Sequence, residues 1–346
     1  MRRTSIVLIA LALTLAFEAF THSSFNHRAL AKAEDDFQLV KVADGVYAAI
    51  AKPGGLASGN AGFVIGGQGV LLVDTFFTPA AVEELISEIG KLTPQPIRYA
   101  VNTHYHLDHT GGNQVLATRG VPIIAHENVA KWQTTKNRRF LQAPEELQKR
   151  RADVAKQLAE TPEEQKDKRA QLERQLRSLD ARMTIVLTNP NVTFSSGQVH
   201  LYLGKRDFIL FTLPGHTGGD VLVYVPDANV VFMGDMGWSK TLPNLVDATV
   251  NDWITSLDKI LSDYPTAKFI PGHGEVATAA EMRDFRDYLA DLRTRVKQGI
   301  ADGLTIDQAK QKLTLPEKYK SFAFQNFAQP NVEDMYKELK GTKQMN

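Results

Sequence analysis

Four apolar runs in this chain end alike. "IRYAVNTHYHLDHTGG", "DFILFTLPGHTGG", "VVFMGDMGW" and "KFIPGHGE" each pass from strand-forming residues into a glycine-bordered loop that carries histidine or aspartate. Glycine lets a backbone approach a ligand closely, and loops at strand ends commonly carry binding groups. The rest of the chain alternates strand-like and helix-like stretches, which argues for an α/β layered domain. No cysteine occurs among the 346 residues, so a metal held here is held by nitrogen and oxygen.

The first run is the densest. His104, His106, Asp108 and His109 fall within six positions, although the whole chain has only nine histidines. At a strand end, His104 and His106 are two apart and can point to one side. Asp108 and His109 follow as the chain turns. One cation can take the first pair while the second pair faces a neighbouring cation, and imidazole with carboxylate suits zinc. A polar loop with histidines by chance is the plain alternative, and the density weighs against it. Two pairs leave either ion short of ligands. His216, Asp235 and His273 supply the need, each just after an apolar run. Any one alone reads as a turn or capping residue; three in one setting make a set.

Elsewhere the pattern is regular. "FQLVKVADGVYAAIA" alternates around an Asp44-Gly45 turn, and "NAGFVIGGQGVLLVDT" reads as a hairpin. Thr78 and Pro79 open a helix with Val82, Leu85, Ile86 and Ile89 at helical spacing. Residues 136–182 are dense in Lys, Arg, Glu and Gln and read as an inserted helical hairpin. Pro144 opens its first helix, with Leu147, Val154 and Leu158 on one side. Thr161, Pro162 and Glu164 form a capping box for the second, with a stripe of Leu172, Leu176, Leu179 and Met183. A solvated charged hairpin and a lid or dimerisation element are equal readings. After it, "TIVLT" and several β-branched runs read as strands.

At the start, Arg2 and Arg3 precede an apolar run from Ile6 to Phe17 that Glu18 ends. It falls short of the roughly 20 residues a membrane-spanning helix needs and reads as a signal peptide over residues 1–31, with an uncleaved anchor as the alternative. Export to a bacterial periplasm or medium is expected, with no stable membrane insertion after the signal is removed. The net charge of +1 gives no global attraction to nucleic acid.

The motif set resembles the metallo-β-lactamase superfamily. "THYHLDHTGG" is similar to its His-x-His-x-Asp-His signature, and "PGHTGGD", "MGD" and "PGHG" follow in order. The resemblance covers about residues 37–290, with 291–346 left as a C-terminal helical extension. It implies an α/β fold, the αββα sandwich, with the active site along one edge of the sheets. By position it implies that His104, His106 and His216 bind a first zinc, that Asp108, His109 and His273 bind a second, and that Asp235 bridges both. Asp74 matches an aspartate that supports a metal-bound histidine from behind; a turn residue closing a strand is its alternative.

An aspartate at position 235 is similar to the branch of glyoxalase II-like thioesterases and lactonases. The implied activity is hydrolysis of a small acyl compound by a hydroxide held between two zinc ions, with Asp108 orienting the attacking oxygen and shuttling a proton. A β-lactamase is the first alternative, and a non-hydrolytic iron or redox module of the same fold the second. Substrate recognition is expected from the loops at 51–62 and 237–247 and from the insert. Trp238 is a candidate pocket wall or a core aromatic. Lys240 is a candidate partner for a substrate carboxylate or a surface lysine. Lys149, Arg150 and Arg151 read as surface charge.

Overall fold

A computed structural model describes residues 36–141 and 143–344; the expected signal peptide lies outside these. Among the described residues, one sheet pairs β1 (Phe37–Ala43), β2 (Val46–Ala51), β3 (Ala61–Gly66), β4 (Gly69–Val73), β5 (Ile97–Val101), β6 (Ile123–His126) and β7 (Val192–Phe194) in chain order. The other holds β8 (Gln198–Leu203), β9 (Arg206–Thr212), β10 (Val221–Val225), β11 (Val230–Trp238) and β12 (Lys268–His273), with β12 parallel to β11 at its edge. The helices are α1 (Pro79–Leu92), α2 (Leu107–Thr110), α3 (Asn113–Thr118), α4 (Glu127–Gln133), α5 (Pro144–Glu160), α6 (Lys166–Met183), α7 (Val250–Asp263), α8 (Ala279–Ala301), α9 (Ile306–Lys312) and α10 (Ala328–Leu339).

Strand alternation sorts side chains into separate layers. In β4, Leu71 and Val73 point between the sheets, while Val70 and Leu72 point at α1 and α3. In β11, Val230 and Phe232 face the inter-sheet core, while Val231 and Met233 face α7 and α8. A helix–sheet–sheet–helix sandwich results, as the sequence implies. The amphipathic helix α1 closes one outer face with Val82, Leu85 and Ile89, capped by Thr78, whose hydroxyl accepts from the Ala81 amide. The other face takes Trp253, Leu257 and Ile260 of α7, Phe285 and Leu289 of α8, and Val332 and Met335 of α10.

Within these elements the structure departs from the sequence reading at three places. "TIVLT" is irregular rather than a strand. Thr161 ends α5 instead of opening α6, its hydroxyl donating to the Gln157 carbonyl, because residues 162–165 form a turn and α6 starts at Lys166. Of the expected stripe, Leu172 and Leu179 pack against Leu147 and Val154, while Met183 is exposed at the helix end. α8 runs across residues 290 and 291, and its Leu289 and Leu292 share one core. The hairpin α5–α6 is present and is tied to the start of β1 by Arg177 and Asp36, 2.7 Å apart.

Leu257 is fully buried on α7. Leu257→Ala is expected to lower the unfolding free energy by about 2–5 kcal/mol, read as a lower denaturant midpoint at unchanged slope.

Candidate metal centre

β5 stops at Val101, earlier than the strand-end reading of His104 and His106 requires. Residues 102–106 are loop, and the short helix α2 carries Asp108 and His109. Two carboxylates hold this loop in place of a strand ladder. Asp74, at the end of β4, accepts from the Thr103 amide (2.8 Å), the Thr103 hydroxyl (2.7 Å) and His109 Nδ1 (2.9 Å). Its backbone is left-handed, with φ of 62°, a conformation aspartate tolerates better than most residues.

The proton count follows from these contacts. Thr103 gives its one hydroxyl proton to Asp74, so its oxygen is left to accept from His104 Nδ1 at 3.1 Å. His104 keeps its ring proton on Nδ1 and presents Nε2 as a lone pair; His109 likewise donates from Nδ1, which leaves Nε2 as the nitrogen turned to Asp235. His106 is reversed: its Nε2 donates to Asp247 (3.0 Å), leaving Nδ1 to face His216 Nε2 at 3.0 Å. Asp247 also accepts from the Tyr105 hydroxyl (2.5 Å) and from Arg139 (2.7 Å). Each histidine of the motif is thus oriented by a hydrogen bond on its far nitrogen, the arrangement that metal-binding imidazoles need.

The remaining donors come from other strand ends. His216 sits in the β9–β10 loop, which Asp220 braces by accepting from the amide and hydroxyl of Thr217, both at 2.7 Å. Asp235 lies within β11, and His273 ends β12. Gly272 allows the close approach: a β-carbon there would fall on Asp235 Oδ1.

All seven candidate residues come together in two sets. His104, His106, His216 and Asp235 place ligand atoms within 4.8 Å of one another, and so do Asp108, His109 and His273. Asp235 belongs geometrically to both. Its Oδ2 faces His216 Nε2 (3.3 Å) and His104 Nε2 (3.7 Å), while its Oδ1 faces His109 Nε2 (3.1 Å) and His273 Nε2 (3.5 Å). Asp108 Oδ2 lies 3.2 Å from His273 Nε2.

The donor set fits divalent cations. His104 Nε2, His109 Nε2 and Asp235 Oδ1 are buried with no hydrogen-bond partner among the described residues, a costly state unless something else satisfies them. Burial pushes His104 well below its usual range and His216 down to about 3, which keeps both neutral and able to ligate. On His109 burial acts the same way, but Asp235, Asp108 and Asp74 outweigh it and hold a proton there. His273 is raised to about 9, Asp235 and Asp108 again outweighing burial. The carboxylates therefore demand positive charge, and a cation supplies it in place of these protons.

Around the centre, His106, Asp108, Asp235 and His273 floor a cleft of about 430 Å³. Trp238 fills both roles considered for it. It is buried, stacks on His273 at 4.2 Å, donates from its indole to the Asp235 carbonyl, and also lines the cleft. Lys240 points away to Glu281, 3.5 Å distant. Ser58 of the first expected recognition loop and Asn244 of the second reach the cleft. The insert reaches the surroundings of the centre through Arg139, which touches Asp247 and Tyr105, and through Asn137, which donates to the Tyr105 carbonyl. Sequence reading missed Asp247 as a partner of His106, and it missed Thr103 and Arg139; no spacing ties residue 247 to residue 106.

A helix–sheet–sheet–helix sandwich with this donor set at one edge defines a class of metal-site proteins. Residues 54–273 match the metallo-beta-lactamase superfamily, and the chain belongs to it. The metallo-beta-lactamase type 2 of Bacillus cereus is 25% identical over 214 residues, 60% of this chain and 64% of that protein, so the chain spans just under two thirds of this relative's length. A linear primary-alkylsulfatase of a Pseudomonas species is 24% identical over 266 residues, 72% of this chain and 48% of that protein. Among solved structures, a metallo-beta-lactamase from Pontibacter korlensis superposes with a TM-score of 0.54 at 20% identity, covering 73% of this chain and 99% of that one. A stereoselective inverting sec-alkylsulfatase from a Pseudomonas species reaches 0.64 at 19% identity, covering 87% of this chain and 50% of that one. Likeness at this identity shows the fold.

Removing the Asp247 carboxylate frees the His106 ring to turn. Asp247→Ala is expected to weaken cation binding about 10–100-fold with the far-ultraviolet circular dichroism unchanged, measured by competition with a chromogenic chelator. Gly272→Ala is expected to lose cation from both sets, because it displaces the one carboxylate they share; metal analysis of the purified protein checks this.

Proposed function

We propose that this chain is an exported hydrolase of a small acyl compound, an ester, lactone or thioester, working with two zinc ions. The observation that carries the reading is Asp235, with one oxygen turned to each donor set. His104, His106 and His216 would hold one ion, Asp108, His109 and His273 the other, and Asp235 both. Zinc bound there supplies Lewis acidity and lowers the pKa of water from about 16 toward about 7.

The chain's own groups do the rest. Asp108 is the most exposed carboxylate of the centre, with 25% of its side chain open to solvent, against 3% for Asp235. It lines the cleft, and although burial works against its charge, His109 and His273 hold it anionic. It is placed to take the proton of the attacking water and to pass it to the departing oxygen or sulfur. Overall, water splits the acyl C–O or C–S bond into a carboxylic acid and an alcohol or thiol. Trp238 covers His273 and shields that side of the centre from solvent.

Export rests on the sequence of residues 1–31, and no helix of the described residues is long and apolar enough to cross a membrane. Relatives named as β-lactamases favour a second reading, opening of a cyclic amide.

Chelator is expected to abolish hydrolysis of an aryl ester or lactone, and zinc to restore it. Asp108→Asn is expected to lower kcat at least about 100-fold, within the range for losing a general base, with the melting temperature little changed. A chromogenic β-lactam assayed beside a lactone and a thioester decides the substrate class. Absence of bound metal together with chelator-resistant activity overturns the reading.

A further inference from the structure

Phe324 is a large apolar residue left 41% exposed in a left-handed conformation, φ 58°. Aromatic residues rarely adopt that conformation, so surrounding structure has to hold it. It does. Ala323 bridges to Thr241, its amide donating to the Lys240 carbonyl (2.9 Å) and its own carbonyl accepting from the Leu242 amide (3.0 Å). This pairing lays residues 323–327 along the mouth of the cleft, although they lie well beyond residue 273, where the family match ends.

The strap brings its rings to the centre. Phe324 meets Trp238 at 6.2 Å and His273 at 5.7 Å edge-on, and Phe327 meets Phe324 at 6.2 Å. With Phe77 across the cleft, these aromatics make its walls, and the polar groups beside them, Ser58, Asn244 and Asn326, are uncharged. Among the described residues lining the cleft none is lysine or arginine. Of the bases beyond the lining, Lys240 pairs with Glu281 and Arg139 with Asp247, while Arg182 lies over the Phe77 ring, 5.0 Å from its centre. Against the wall, away from the centre on the cleft floor, an anionic substituent meets no cationic lining side chain, whereas an apolar group finds four rings.

We propose that residues 323–327 form the specificity wall of this site, and that its substrate carries an uncharged aryl or alkyl group that packs against Phe324, Phe327 and Phe77. That the scissile group is an ester or lactone rests on the hydrolase reading above; the uncharged, apolar character of the group beside it rests on the wall.

The test separates the two. Binding of hexananilide, a neutral amide that the reading does not require to be cleaved, is measured by calorimetry on the full-length protein, alongside its ring-carboxylated analogue. The neutral compound is expected to bind at least about 10-fold more tightly than the anion, and Phe324→Ala to weaken it about 10-fold, within the range one apolar pocket contact contributes. Phe324→Leu, which keeps apolar bulk, is expected to stay within about 3-fold of wild type and guards against misfolding as the cause. Phe324→Arg is expected to narrow or reverse the preference against the anion. Equal binding of the two compounds by the wild type, or unchanged hexananilide binding in Phe324→Ala, overturns the wall. If Phe324-dependent binding stands but zinc-loaded protein turns over neither aryl hexanoate nor lactone, the acyl-hydrolase reading fails and the wall survives.

Discussion

Burying Asp235 is the constraint on which the site depends. The carboxylate is almost wholly out of water, and its two oxygens look into two groups of histidine nitrogens. A buried charge without partners is among the most costly things a fold can contain. Here the partners arrive from three segments, the loop and short helix after β5, the β9–β10 loop and the end of β12, which is why the flanking residues are so small. Gly272 leaves space for the carboxylate, and Gly59 approaches the His109 ring closely enough that a side chain would strike it. The two sheets bring these ends to one edge, and the three apolar layers beneath keep them there.

A second tier of carboxylates turns a cluster of histidines into an oriented set. Asp74 governs two rings, His109 directly and His104 through the Thr103 hydroxyl, while Asp247 governs His106 from the opposite side. The tautomers differ accordingly, with Nε2 offered by His104 and His109 and Nδ1 by His106. Asp247 also takes Arg139 from the start of the inserted segment, so the otherwise charged and peripheral hairpin has a physical connection to the centre.

Much of this was readable from the residues. The four glycine-bordered runs named all seven donors, and the family resemblance added Asp74, the aspartate closing "LLVDT". Alternating strand-like and helix-like stretches pointed to an α/β layered domain, and the αββα sandwich came with the family resemblance. Other features were hidden because they depend on distance in space rather than spacing in sequence. Asp247 pairs with a histidine 141 positions earlier, and no periodicity signals that. Thr103 looks like an ordinary loop threonine until its hydroxyl proton is counted. Thr161 followed by Pro162 is an apt helix start, yet tertiary context gave that threonine to the preceding helix instead. Phe324 sat in a stretch read only as a C-terminal helical extension, and its exposure, not its neighbours in the chain, marks it.

The placement of that aromatic strap has a consequence for how the molecule is built. Every donor has been synthesised once residue 273 has left the ribosome, whereas the stretch that closes the cleft mouth emerges some fifty residues later. Domains generally form as the chain grows from its N-terminus, so the ion-gathering edge can assemble while its entrance is still wide. Selectivity for what enters is then the last property the protein acquires, and a chain shortened at its tail would keep the chemistry's ingredients while losing the gate.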